Sequence, residues 1–212
     1  MSLTAAANPD DAATMAQYMR NQFPFLGVKT PLRRQLSRPI YKVLTRDPSK
    51  GPNWQLVEKL WGLEPREFQY VACDYLQSIS SWSVEDVARL KVLVSAKAWW
   101  DTVDPLSLIL GEALRQGTVE KQVVRDWAID SDFWVRRAAI ICQRRLKQQT
   151  QEELLASVIA ANFDTSEFFI NKAIGWALRD YSKINPRWVS AFIGRCGDRL
   201  SALSVREGAK YL

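Results

Sequence analysis

WVRRA, residues 134–138, sets an aromatic side chain four positions ahead of a small one, and the same spacing returns along the chain. It occurs as FQYVA at 68–72, WDTVD at 100–104, FINKA at 169–173 and, more weakly, SVREG at 204–208. Successive copies lie 32, 34, 35 and 35 residues apart. A period near 34 accommodates one helix pair, the unit of solenoids of the TPR or HEAT type, whose repeats bury their apolar faces against their neighbours. Such a stack presents a concave row built from the second helix of each pair.

The sequence around these copies reads as helix throughout. Apolar residues return at helical spacing in Ile170, Ile174, Leu178 and Tyr181, and in Val84, Val87, Leu90, Leu93 and Val94. Thr30-Pro31, Ser83 with Asp86, Thr150 with Glu153, Asn185-Pro186, and Ser204 with Glu207 match N-cap, capping-box or first-turn proline patterns. Strand-like alternation is nearly absent. The pattern predicts helices near 9–22, 31–46, 53–62, 65–79, 84–94, 98–116, 119–128, 132–148, 151–161, 166–182, 186–194 and 204–212.

Composition narrows the function. The 212 residues, 47% of them apolar, suit one core and are few for two independent domains. A net charge of +6 favours an anionic partner, nucleic acid first, although solubility alone also explains a charge of this size. Cys73, Cys142 and Cys196 are odd in number and widely spaced, which argues against a disulfide framework or a zinc site and fits a reducing cytosol. The absence of histidine removes the commonest metal ligand and the usual base for activating Ser or Cys. The N-terminal MSLTAAANPDD has no signal-peptide pattern and no stretch approaches a membrane span, so a soluble cytosolic protein is expected, with no metal, cofactor or membrane partner.

The repeat breaks its own rule once. Its fourth position holds Ala72, Asp104, Ala138, Ala173 and Gly208. A small residue there suits close helix packing, so a carboxylate is costly unless it meets a groove or a cation. One position earlier the residues are Val71, Val103, Arg137, Lys172 and Glu207, which places two cations near the anomalous acid as a short basic row suited to phosphates. A blander reading stands beside this one. Pro105 follows Asp104, and Asp-Pro is a common N-cap and first-turn pair. Equally, Trp100 and Trp176 suit ordinary core packing, and Arg137 suits a solvated helix face.

YMRNQFPFLGVKTPLRRQL (18–36), LEPREFQ (63–69), AWWDTVD (98–104), WVRRAAI (134–140) and EFFINKAIGWALRDYSKINP (167–186), taken in order, resemble the bacterial AlkD-type alkylpurine DNA glycosylases across nearly the whole chain. The resemblance implies an all-α fold, a right-handed α–α superhelix of about six HEAT-like antiparallel helix pairs forming one domain over 1–212. It implies a monomeric, monofunctional glycosylase that removes N3- and N7-alkylated purines from duplex DNA with the lesion still largely stacked. By motif position Asp104 is the catalytic carboxylate, Trp100 and Trp176 the cleft walls, and Arg137 the cleft arginine. Tyr18, Lys29 and Thr30 fall in the DNA-contacting N-terminal segment, and Arg136, Arg137 and Lys172 complete the expected DNA-binding set. A non-catalytic DNA-binding repeat protein is the runner-up, and a protein-interaction scaffold a third reading.

Overall fold

The computed structural model describes residues 2–47 and 50–212, and all regular structure among them is helical. Among the described residues no helix is long and apolar enough to cross a membrane. The chain divides into two compact units, Met1–Ser81 and Trp82–Leu212.

The first unit holds α1 (Pro9–Tyr18), α2 (Thr30–Leu44), α3 (Trp54–Gly62) and α4 (Arg66–Leu76). Asn8 starts α1 by accepting the Asp10 and Asp11 amides, with Pro9 pre-set at the first helical position. Helix α4 packs on α2 and α3, and the Tyr41 hydroxyl donates to the Val71 carbonyl at 2.9 Å. The segment between α1 and α2 is fixed by a fully buried carboxylate. Glu67 accepts the Leu26, Gly27 and Val28 amides at 2.9, 2.9 and 3.1 Å. Gly27 has φ +83°, and a Cβ there would lie 2.0 Å from the Asn8 carbonyl oxygen, so the turn requires glycine. Buried Arg66 stacks over Phe23, 3.7 Å from the ring centre.

The second unit holds α5 (Val84–Ser95), α6 (Trp100–Arg115), α7 (Lys121–Ala128), α8 (Phe133–Ile141), α9 (Glu152–Ala160), α10 (Phe168–Ser182), α11 (Pro186–Cys196) and α12 (Ala202–Gly208). Helices α6, α8, α10 and α12 pack one on the next in a continuous row, and α5, α7, α9 and α11 lie against that row. The core between them includes Ile140, Ile141, Leu155, Ile159, Ile170, Ile174 and Leu178. Each such side chain, fully buried, stabilises the unit by about 1.5–3 kcal/mol of transfer free energy.

The period of the sequence is the spacing of this row. Ala138, Ala173 and Gly208 are buried within it, and a Cβ on Gly208 would sit 3.0 Å from the Leu178 Cβ of the preceding helix in the row. Two other glycines allow still closer approach. A Cβ on Gly111 of α6 would lie 1.9 Å from the Cys142 carbonyl oxygen, and one on Gly175 of α10 would lie 2.5 Å from the Glu207 Cβ.

Local signals fared unevenly. Ser83 and Asp86 form a capping box, and Asn185 caps α11 through the Trp188 amide. Thr150 does not cap α9, whose first flanking residue is Gln151. Ser204 lies inside α12, which Ser201 caps instead, and Thr30 is the first residue of α2 after Lys29. The helix expected over 132–148 stops at Ile141. Beyond it Gln143 exchanges hydrogen bonds with the Gln151 backbone at 2.7 and 3.3 Å, and Asp180 accepts the Arg145 amide at 3.0 Å. These distant partners hold Arg145 and Lys147 at φ +74° and +53°, where no helix continues.

Candidate active site

Asp104 lies inside α6, and the residue flanking the start of that helix is Trp99. Pro105 therefore sits in the second turn, where it removes one backbone donor without ending the helix. The cap reading of Asp104 is thereby overturned, because its side chain turns to α8. Arg137 donates from Nε to Oδ1 at 2.8 Å and from Nη2 to Oδ2 at 2.9 Å, a two-pronged pair. Its Nη1 donates to the Phe169 carbonyl at 2.7 Å, so one guanidinium joins α6, α8 and the first turn of α10. The Arg137 side chain is 2% exposed and that of Asp104 15%. Arg137 is thus neither on a solvated face nor free at the surface for a phosphate, as the basic-row reading required.

Burial pushes the Asp104 carboxyl above its ordinary range, opposed by the charge and hydrogen bonds of Arg137 and by the charge of Arg144. Each carboxylate oxygen has two lone-pair directions and Arg137 uses one of each. A carboxylate so held is fixed in orientation and retains accepting capacity on its exposed edge.

Trp100 opens α6, half-buried, one turn before Asp104 and on the same helix face. Trp176 of α10, also half-buried, has three guanidinium groups over its ring, those of Arg144, Arg137 and Arg179, at 4.9, 5.6 and 5.8 Å. Beneath this group lies an aromatic cluster in which Trp99 meets Trp134 and Phe169 at 5.6 and 5.2 Å. Lys172, expected beside Arg137 in a phosphate row, donates to Glu207 at 2.9 Å, and Arg179 donates to the other oxygen of Glu207 at 2.7 Å. Arg136 donates to the Asp130 carbonyl at 3.1 Å.

Asp104, Arg137 and Trp176 thus come together around one carboxylate. Tyr18, Lys29 and Thr30 belong to the first unit. Tyr18 is 72% exposed at the end of α1, Lys29 pairs with Asp11 at 2.8 Å, and exposed Thr30 begins α2. Sequence reading passed over three participants. Glu67 and Asp180 fall within quoted motifs without a role of their own, although Asp180 follows Trp176 by one helical turn and shares its face, and Arg144 lies outside every motif.

Against known proteins, the family model described as DNA alkylation repair enzyme matches residues 1–212. Among solved structures the chain is similar to one described as a predicted DNA alkylation repair enzyme from Enterococcus faecalis, at 39% identity over 97% of this chain and 96% of that one, with a TM-score of 0.87. No curated protein matches the chain. A family match over its full length, and a buried acid paired across two helices of the repeat row, lead to one assignment: the chain belongs to the DNA alkylation repair enzymes and has a role in the repair of alkylated DNA.

Proposed function

We propose that this enzyme is a monofunctional DNA glycosylase that hydrolyses the N-glycosidic bond of cationic N3- and N7-alkylated purines in duplex DNA, acting in the cytosol as a monomer, with its two units working as one domain. The observation that carries the reading is the Asp104–Arg137 pair, a carboxylate placed where the other repeats hold a small residue and fixed by two guanidinium hydrogen bonds.

The chemistry suits a chain without histidine. A purine alkylated at N3 or N7 already bears positive charge, so the electron pair of its bond to C1′ leaves with it and yields a neutral base with no proton donated. Positive charge then grows on the deoxyribose. An ionised carboxylate a few ångströms away lowers that barrier through Coulomb attraction in a site partly shielded from water. Water adds to C1′, and its proton passes to Asp104 or to solvent. Arg137 keeps the acid ionised against its burial and aims it. Trp100 and Trp176 wall the carboxylate and offer ring faces to the cationic sugar, an attraction worth about 2 kcal/mol or more when desolvated.

In this reading the base stays in the stack and the sugar-phosphate backbone meets the protein, so that the charge of the lesion selects it. Lys172 is occupied by Glu207, which supports hydrolysis over a lyase step through a lysine Schiff base. Tyr18, Lys29 and Thr30 supply backbone contacts in the N-terminal segment whose loop Glu67 presets. The test is product analysis on N-methylated duplex DNA. Free 7-methylguanine and 3-methyladenine should appear together with intact strands bearing abasic sites. Undiminished binding without any released base would leave the non-catalytic DNA-binding reading in its place.

A further inference from the structure

Arg144 carries a charge that its surroundings do not pair. It follows the end of α8, its guanidinium lies 4.9 Å from the Trp176 ring centre, and its Nε is buried with no hydrogen-bond partner. The other two guanidinium groups over that ring are engaged, Arg137 by Asp104 and Arg179 by Glu207. Asp180 of α10 lines a hollow together with Arg144 but accepts the backbone amide of Arg145 instead, and among the described residues no carboxylate forms an ion pair with Arg144. With Nε shut in and no carboxylate on the group, the charge is left to whatever meets the open terminal edge of the guanidinium.

The backbone is built to hold it there. Arg145 and Lys147 occupy the left-handed region at φ +74° and +53° without being glycine. Such residues cost about 1–3 kcal/mol each and persist where surrounding contacts over-determine them. Asp180 supplies one of those contacts, and it shares a helix face with Trp176. The same helix therefore clamps the turn and provides the ring on which Arg144 rests. Arg144 is half-buried, so part of its guanidinium stays open to solvent.

We infer that Arg144 is the binding site for one backbone phosphodiester of the DNA strand that carries the lesion. An oxyanion with two free oxygens matches the guanidinium fork and supplies the missing charge. Arg144 shares the Trp176 ring with Arg137, which holds Asp104, so a phosphate on Arg144 would lie beside the reacting sugar. This role is the one the sequence pattern assigned to Arg137, moved seven residues along the chain. The inference rests on the glycosylase reading for the identity of its ligand, and its test is separable from that reading.

The measurement is the affinity for undamaged duplex DNA as a function of salt, for the native protein and Arg144→Met, which keeps an unbranched stem on Trp176. One lost phosphate contact should weaken binding about tenfold at low salt and reduce the slope of log K against log salt by about 0.9. An unchanged slope overturns the inference. A second arm uses duplexes with a single neutral methylphosphonate linkage beside the lesion. One such linkage should weaken the native protein about tenfold and Arg144→Met hardly at all. If Arg144→Met does not fold, Arg144→Lys decides. Its loss at that linkage should be smaller than the native protein's, because a point charge replaces the fork, and an equal loss overturns the inference. Base release by the native protein is followed in parallel. Its absence would remove the glycosylase reading while leaving the salt slope to judge Arg144.

Discussion

Two joints of the helix row, two repeats apart, each hold a carboxylate and its cation at neighbouring register positions and behave in opposite ways. Between α6 and α8, Arg137 and Asp104 form a pair in which the cation is 2% exposed. Between α10 and α12, Lys172 and Arg179 share Glu207, and these two cations are 28% and 25% exposed. Burial drives the Asp104 carboxyl up, whereas the hydrogen bond from Lys172 holds the Glu207 carboxyl below the usual carboxylate range. A pair that stabilises the fold sits where water softens its cost. A pair in which the acid is held against its own ionisation is poor value for stability and useful for chemistry. The site is thus a stapling position of the repeat that has been buried and charged.

Substitutions can break the comparison. Asp104→Asn should give the largest effect, slowing base release about 100- to 1000-fold, the scale of losing one preorganised electrostatic group, while affinity for undamaged duplex stays within about twofold. Arg137→Ala leaves a buried carboxylate without its partner and should destabilise the protein by about 3–5 kcal/mol in denaturant melts. The double variant Asp104→Asn/Arg137→Ala should be destabilised by much less than the sum of the two single changes, since the two residues share one interaction. Gly111→Ala drives a Cβ toward the Cys142 carbonyl oxygen at the same joint and should cost about 3 kcal/mol. At the other joint Gly175→Ala meets a side-chain carbon and should cost about 1–2 kcal/mol with the single-turnover rate unchanged.

The smallest effects concern pH and the outer pair. The active form of Asp104 is ionised and burial raises its pKa, so the rate of base release should fall on the acid side from a point above pH 3.8, the ordinary aspartate value. An acid limb centred below that value would contradict the assignment. Arg137→Lys should move the limb further up, because a point charge replaces the fork. For Glu207 the sign is reversed. Its folded pKa is depressed, so its contribution to stability is present above pH 4.5 and is lost as pH falls through the folded value. Glu207→Gln should cost about 0.5–1 kcal/mol at neutral pH, with the difference from the native protein vanishing in strong acid.

Much of this was legible in the sequence, for physical reasons that also mark where reading stopped. The period appeared because closely packed helices favour a small buried residue once per repeat, a demand met by Ala138, Ala173 and Gly208. Most helices among the described residues appeared because they bury an apolar face, although α1 buries no residue. Asp104 stood out as a violation of that demand. Its pairing did not, although Arg137 lies 33 residues on, because which side chain turns inward depends on how α6 and α8 are rotated against each other. Pro105 misled for a local reason, since one lost hydrogen bond in a second turn does not stop a helix packed on both sides. Arg144 stayed hidden because no glycine or proline marks the end of α8. Asp180 and the Gln143–Gln151 exchange end it from a distance. Glu67 was hidden likewise, because its three amide donors lie about 40 residues away.

The central claim is that Asp104 stabilises a deoxyribose as it becomes cationic, and an abasic-site mimic can ask this without any bond breaking. Affinity should be measured for two duplexes that differ only at one abasic position, a protonated pyrrolidine in one and a neutral tetrahydrofuran in the other. Native protein should bind the cationic mimic tighter by about 100-fold, the lower end of the advantage of transition-state analogues over substrates, and Asp104→Asn should bind both alike. Equal affinity of the native protein for the two duplexes would contradict the account.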